Sequence, residues 1–391
     1  MVDLSFISIP VMIVVNAYTL MWGLLAILYL TRKVGRSDPP LGNHLVSVIL
    51  PARNEERVIK SIINDLKNQT YKNIEIIVVA HNCTDRTYES ALETQSSEIP
   101  VRVFRLDTKE VGKGLGLRYA QEFCKGDLIA YFDSDSRVPE TFIASMIEWI
   151  ERGYDCVQGK IVCANPNKNI ITFLQHIEFL IYPKIFCGGK QSLGLNSGIG
   201  GTGVVIKRSA LDQIGGFRNV LIEDFDLVMR LNLEGFRIAY AEEAVVYDEK
   251  VADMVGLVRQ RARWIAGHRQ LWKLYSFKEK IELLKSPIDF LYFFNPVCLV
   301  ALIAHFTLEG VNFLFPYQVS YFATPWFFWV SLTLIINCLF SLVLHEEKIG
   351  LLKEIVYPYV LFVFSLHWFL ALGKSFFIRG WVDTKTDHFG G

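Results

Sequence analysis

The chain has 391 residues and balances 40 basic against 40 acidic side chains, so it carries no charge excess that would draw a polyanion, and no nucleic-acid partner is expected. Hydrophobic residues make up 51%, with 28 Phe and a mean hydropathy of +0.29, which is too apolar for an ordinary soluble enzyme. Seven cysteines with no C-x-x-C pair give neither a disulfide framework nor a zinc site.

The apolar residues are concentrated at the two ends. Residues 4–30 hold no charged side chain, and a bilayer core needs about 20 apolar residues in a helix, so this stretch is read as a span. It has no basic start and no small-residue exit, which argues against a cleaved signal peptide. Arg32, Lys33 and Arg36 follow it and place that side in the cytoplasm. Residues 290–308, 322–344 and 355–373 each read as a further span. The predicted layout is a soluble cytoplasmic domain over 45–250, interface helices over 251–286, three or four membrane helices within 288–378, and a tail at 379–391. The protein is thus expected in the cell membrane as a multi-pass chain. One conflict stands: one span before the domain and three after it put the tail outside, yet Lys374, Arg379 and Lys385 favour the inside. Residues 310–344 carry no Asp, Glu, Lys or Arg and leave room for another crossing.

In the middle region LVSVILPA (45–52), NIEIIVVAHN (73–82), VRVFRLD (101–107) and DLIAYFD (127–133) read as strands. Val58, Ile62, Ile63 and Leu66 keep helical spacing between the first two, and GLGLRYAQEFC can form a helix between the last two. Alternating strands and helices predict parallel β-α-β units. Continuous apolar strands predict helices on both faces.

Ligands of such sheets bind beyond the carboxyl ends of the strands. Pro51, Arg53 and Glu55 follow the first strand, Asp85 the second, Lys113 in GKG the third, and Asp133 and Asp135 in DSDS the fourth. Asp and Ser also favour plain turns. Four strands sending charge to one rim instead suit a nucleotide with phosphates, with a hard cation on carboxylate oxygens. There is no G-x-x-x-x-G-K-[ST] and no G-x-G-x-x-G after the first strand, which excludes a P-loop and a dinucleotide fingerprint.

Further on, GIGGTGVV contains Gly201, Thr202 and Gly203, either a plain turn or a backbone that lets a ligand approach closely. Glu223 and Asp224 fall at a helix start, where they either favour its dipole or include a general base whose pKa a like-charged neighbour raises. RQRARWIAGHRQLW is either an amphipathic surface helix or a Q-x-x-R-W presentation of Gln260, Arg263 and Trp264 on adjacent positions. ITFLQHIEFLIYPKIF (171–186) reads as too polar to span, suiting an interface or ordinary core packing. Tyr247, Asp248 and Glu249 offer a metal or acceptor contact or a structural salt bridge.

The ordered set PARNEE, HNCTD, GKG, DSD, GTG, ED and QRARW between apolar spans resembles the membrane-embedded family 2 glycosyltransferases, among them the cellulose, chitin, hyaluronan and poly-N-acetylglucosamine synthases. The resemblance implies an α/β GT-A fold, Rossmann-like with a mostly parallel sheet, and inverting, metal-dependent transfer from a nucleotide sugar, usually a UDP-sugar. It implies that Pro51, Arg53, Glu55 and Asp85 surround uridine, that Lys113 lies near the diphosphate, and that Asp133 faces the nucleotide. Asp135 would bind Mg²⁺ or Mn²⁺, and Asp224 would take the acceptor's proton. Gln260 and Arg263 would clamp the diphosphate, while Gly201, Thr202, Gly203, Glu223 and Trp264 would meet the acceptor. The expected acceptor is a growing β-linked polysaccharide at the cytoplasmic membrane face, with room for an accessory export subunit. The alternative is a single transfer to a ceramide, diacylglycerol or polyprenyl phosphate, and the remote one a non-catalytic membrane scaffold. WVDTKTDH (381–388) suggests a cytosolic gating or surface contact.

Overall fold

The computed structural model describes residues 2–3, 5–32, 39–95, 98–283, 288, 319–320 and 326–380. Seven strands form one sheet: β1 (Val46–Ala52), β2 (Ile74–His81), β3 (Val101–Leu106), β4 (Leu128–Tyr131), β5 (Cys156–Cys163), β6 (Val204–Lys207) and β7 (Ile238–Asp248). Their spatial order is β3-β2-β1-β4-β6-β5-β7, and β6 alone runs antiparallel to its neighbours. The first four strands lie where the apolar runs predict them, and Val46 pairs with Ile74 on one side and Leu128 on the other.

Helices α1 (Ser5–Leu30), α2 (Ile59–Lys67), α3 (Thr87–Leu92), α4 (Lys113–Gln121) and α5 (Phe142–Glu151) come from the first half. Val46, Val48 and Leu50 of β1 pack with Ile59, Ile62 and Ile63 of α2 and with α5, while Ile49 joins Leu117 and Ala120 of α4 on the opposite face. All four strand residues are fully buried, and each such side chain contributes about 1.5–3 kcal/mol. The chain leaves β1 toward β2 and β3 on one side and returns to β4 on the other. The crevice at the carboxyl ends of β1 and β4 is therefore the switch point where ligands bind in open α/β sheets.

The second half adds α6 (Ile170–Pro183), α7 (Gly189–Ser192), α8 (Arg208–Gln213), α9 (Glu223–Leu233), α10 (Met254–Leu274), α11 (Phe277–Leu283), α12 (Trp326–His345), α13 (Leu351–Phe364) and α14 (His367–Ser375). A π-turn at Lys184–Gly188 joins α6 to α7 and begins directly after Pro183, whose missing N–H interrupts the normal ladder. Carried through that turn, Ile170–Ser192 becomes long and apolar enough to cross a membrane, as does Ile13–Leu30. That differs from the reading of 171–186 alone, because the turn carries the helix on without a break through Gly188 to Ser192. More than half of this longer helix is nevertheless buried inside the protein, against α1 and the end of α12. The two segments approach closely because Gly188 and Gly189 have no side chain: a β-carbon at Gly189 would meet the Leu25 carbonyl oxygen at 2.5 Å.

The expected span at 290–308 lies outside the described residues, as does WVDTKTDH at 381–388. Residues 355–373 are not one continuous helix. The chain breaks between α13 and α14, where the Leu366 N–H turns back to the Val363 carbonyl. At 14 residues, α13 is about 21 Å long, short of a hydrocarbon core of about 30 Å. Beyond the break α14 packs on α10, with Ala371 against Val258, Ala262 and Ile265. Arg269 of α10 donates to the Ser375 carbonyl at 2.9 Å. The end of α14 therefore lies beside α10.

Candidate active site

One cavity of about 1070 Å³ opens at the carboxyl ends of β1, β2 and β4. Pro51, Arg53, Glu55, Asp85, Lys113, Asp133, Asp135, Gly201, Glu223, Asp224, Gln260, Arg263 and Trp264 all line it. Thr202 and Gly203 lie beneath the wall. Thr202 is buried, accepts the Asp133 N–H at 3.0 Å and pairs with Ser136 Oγ at 2.9 Å, so it fixes the DSDS turn. Gly203 has φ +65°, and a β-carbon there would strike Val246 at 2.6 Å.

The turn after β4 is a carboxylate centre. Oxygen atoms of Asp133, Asp135 and Asp248 lie within 4.8 Å of one another. Asp248 comes from the end of β7, across the sheet. It also pairs with Lys250 at 2.6 Å, so the salt bridge and the acidic cluster coexist. Burial raises the Asp248 pKa first; Lys250 opposes this and the charge of Asp133 adds to it. An all-oxygen donor set whose members repel one another fits a hard divalent cation.

Lys113 begins α4 and reaches into the same centre. Its Nζ lies 2.5 Å from Asp133 Oδ1 and 3.6 Å from Glu223 Oε1, and donates to the Gly201 carbonyl at 2.6 Å. Burial disfavours its charge, but Asp133, Glu223 and Asp224 outweigh burial and hold its pKa above the ordinary value. In the free protein Lys113 is thus the counter-charge of the carboxylates. Asp85 ties two loops together, accepting from the Thr87 N–H at 3.1 Å and the Glu56 N–H at 3.2 Å.

The first turn of α9 separates two kinds of acid. Asp226 is fully buried and bonded to Arg230 and to the Tyr275 hydroxyl, each at 2.8 Å, which makes it structural. Asp224 faces the cavity. Burial and then the charge of Glu223 push its carboxyl from 3.8 up to about 7, against the Phe225 N–H, Lys113 and Arg263. Gly201 keeps the space before it open, since a β-carbon there would stand 3.4 Å from Asp224 Oδ2. A general base works best with a pKa near the operating pH. We expect kcat/KM to rise with pH and reach half its plateau near 7, because Asp224 is protonated below that point; a profile flat from pH 5 to 9 would remove Asp224 from this role.

Arg263 of α10 donates to the Leu221 carbonyl at 2.5 Å, fixing α10 against the entry to α9. The Arg261 guanidinium lies 4.0 Å over the Trp264 ring and pairs with Glu178 at 2.6 Å. Sequence reading passed over Gln158 and His268. Gln158 accepts the Gly200 N–H at 2.8 Å and donates to the Thr202 carbonyl at 2.9 Å, holding the glycine loop; nothing in VQGK announces this. His268 lines the cavity, and burial lowers its pKa to about 4, so it is neutral at physiological pH. Its position one turn after Trp264 was a usable signal.

Residues 47–215 match the family model described as glycosyl transferase family 2. The chain carries a family 2 glycosyltransferase domain. It is 25% identical over 346 residues to a probable glycosyltransferase, YdaM, of Bacillus subtilis (strain 168), covering 85% of this chain and 82% of that one. It is 29% identical over 235 residues to a beta-monoglucosyldiacylglycerol synthase of Nostoc sp. (strain PCC 7120 / SAG 25.82 / UTEX 2576), covering 59% of this chain and 50% of that one. The chain thus aligns with about half the length of that second relative. Among solved structures it resembles the mannosyltransferase PcManGT from Pyrobaculum calidifontis in complex with GDP-Man and Mn²⁺, with TM-score 0.64 and 16% identity over 95% of this chain and 98% of that one. That likeness bears on the fold, which is GT-A-like. The protein is accordingly an enzyme, and the matched domain is an α/β unit built around a mostly parallel seven-stranded sheet.

Proposed function

We propose that this glycosyltransferase moves one sugar from a nucleoside diphosphate sugar to a hydroxyl of a membrane lipid, with inversion at the anomeric carbon. One observation carries the choice of acceptor. The cavity that Asp224 lines is also lined by Trp22 of α1, Tyr182 and Phe186 of the α6 segment, Phe340 of α12, and Leu361 and Phe364 of α13, which make up its apolar arm. Such a wall suits alkyl chains, and a hydrated polysaccharide would gain little from it. The name of the Nostoc relative is consistent with this, and the synthase-like Q-x-x-R-W motif favours a polymer instead. The lipid reading therefore reverses the order expected from the motifs.

In the reaction the acceptor oxygen bonds to the anomeric carbon from the face opposite the diphosphate. The bond to the diphosphate oxygen breaks, and Asp224 takes the hydroxyl proton. Gln260 and Arg263 orient the departing diphosphate, and Arg263 adds positive charge where negative charge develops. Asp133, Asp135 and Asp248 would hold Mg²⁺ or Mn²⁺, which supplies further positive charge to the leaving group. Pro51, Arg53, Glu55 and Asp85 would enclose the nucleoside, and Glu223 and Trp264 border the acceptor.

The test incubates purified protein with radiolabelled UDP-glucose, UDP-N-acetylglucosamine or GDP-mannose, Mn²⁺, and micelles of diacylglycerol, ceramide or polyprenyl phosphate. The expected result is label in the organic phase as a single-sugar lipid. Label confined to a long polymer would overturn the lipid acceptor. Chelation of divalent ions, or Asp135→Ala, is expected to lower transfer by roughly a hundredfold or more, the equivalent of several kcal/mol. Undiminished transfer under either condition would dissolve the carboxylate centre as a metal site.

A further inference from the structure

His367 opens α14, directly after the break that ends α13. It is 5% exposed and lines the cavity. Its Nδ1 lies 2.6 Å from the Phe364 carbonyl oxygen. A carbonyl oxygen can only accept, so Nδ1 carries the proton and Nε2 of the neutral ring is an acceptor. That Nε2 is buried and has no hydrogen-bond partner among the described residues. Leaving a buried polar atom unsatisfied is costly, and such atoms in native structures call for an explanation.

The surroundings indicate which ligand is concerned. The His367 ring lies tilted against Trp368 with centroids 5.6 Å apart, Trp368 approaches Trp264 at 6.3 Å, and Arg261 lies over both tryptophans. His367 thus joins the cavity wall that holds Trp264, and its ring also lies against Phe364 of the apolar arm. It lies outside the residues matched by the family model. Asp224 already takes the proton of the attacked hydroxyl, and one hydroxyl cannot donate its single proton twice.

We propose that His367 Nε2 accepts a hydrogen bond from a second donor group on the acceptor's head, a hydroxyl or amide N–H other than the one attacked. The inference rests on the lipid-acceptor reading and narrows it. The acceptor is a lipid alcohol with at least two head-group donors, either a sphingoid lipid or a lipid that already bears a sugar. A plain diacylglycerol, with one hydroxyl, leaves Nε2 unsatisfied.

The test compares kcat/KM for dioleoylglycerol, N-oleoyl sphingosine and monoglucosyl dioleoylglycerol in detergent micelles with each labelled nucleotide sugar. The unaltered enzyme is expected to prefer one of the two-donor lipids over dioleoylglycerol by about tenfold, the equivalent of one well-formed hydrogen bond. Which of the two is preferred identifies the source of the second donor. His367→Phe keeps the ring's bulk without an acceptor and is expected to erase that ratio. His367→Gln, which offers Oε1, is expected to restore part of it, and is the measurement that stands should the Phe variant fail to fold. Equal use of all three lipids by the unaltered enzyme, or a preference that survives in His367→Phe, overturns the inference and leaves the lipid reading intact. Failure of every lipid to accept sugar overturns both.

Discussion

Asp224→Asn should bind the nucleotide sugar much as the parent does and transfer almost none of it. The substitution keeps the shape of the side chain and removes its basicity. Lys113 retains Asp133 at 2.5 Å and Glu223 at 3.6 Å, so the charge centre around the diphosphate persists. General-base assistance contributes about 10²–10⁴-fold, so transfer should fall on the order of a thousandfold. A companion variant separates the base from its neighbour. Glu223 raises the Asp224 pKa by its charge, so Glu223→Gln should move the acid limb of the pH profile to lower pH. Isothermal titration with the nucleotide sugar and a radiolabel transfer assay check the pair of claims. Asp224→Asn turning over at the parental rate would show that another group takes the proton.

How early these groups could be recognised depended on where they sit in the sheet. Asp85, Asp133 and Asp135 follow strands that are buried on both faces, so each strand appears as a continuous apolar run ending in charge. The second half of the sheet hid better. β6 is four residues long and antiparallel, and β7 carries Glu242 and Glu243 within its run, so neither showed the uniform apolar pattern of β1 or β2. Asp248 was weighed as a metal contact or a salt bridge. It is in fact bonded to Lys250 and also lies beside Asp133, because β7 ends at the same rim as β4 although α5, β5, α6, α7, β6, α8 and α9 lie between them in the chain.

The acceptor side was legible only in part. Helical spacing put Gln260, Arg263 and Trp264 on adjacent positions, and all three line the cavity. Thr202 follows Gly201, which lines the cavity, yet it turns inward to hold the backbone of Asp133. The contribution of α14 was not readable, since hydropathy merges 355–373 into one apolar stretch. The break at Ser365–Leu366 is a local change of hydrogen bonding from which apolar composition gives no warning, and it is what brings His367 and Trp368 beside Trp264.

Removing Lys184 should loosen the junction between the catalytic domain and the apolar helices. Lys184 is 3% exposed and lies 3.2 Å from Glu242, 3.4 Å from Glu346 and 2.6 Å from Glu347. These acids come from β7 and from just past the end of α12, while Lys184 itself sits in the π-turn after α6. Arg32, beyond α1, pairs with Glu242 at 3.3 Å and Glu346 at 3.2 Å; Lys160 of β5 holds Glu347 at 2.7 Å; and the Tyr29 hydroxyl bonds Glu242 at 2.9 Å. Five segments distant in sequence thus meet in one balanced set of three cations and three carboxylates. Lys184→Met fills similar space and leaves the carboxylates in excess. Losing one partner of a buried pair costs about 3–5 kcal/mol, and partial exposure of the three acids keeps this case near the lower end, at about 3 kcal/mol. The melting temperature in detergent should drop by several degrees. Lys184→Met combined with Glu347→Gln should recover part of the loss, because the excess negative charge is gone, and only part, because Lys160 loses its charged partner. Transfer to lipid should fall by a larger factor than nucleotide-sugar affinity, because the arm between α1, α6 and α12 depends on this junction while the carboxylate centre does not. An unchanged melting temperature in Lys184→Met would mean that the cluster does not fasten these elements together.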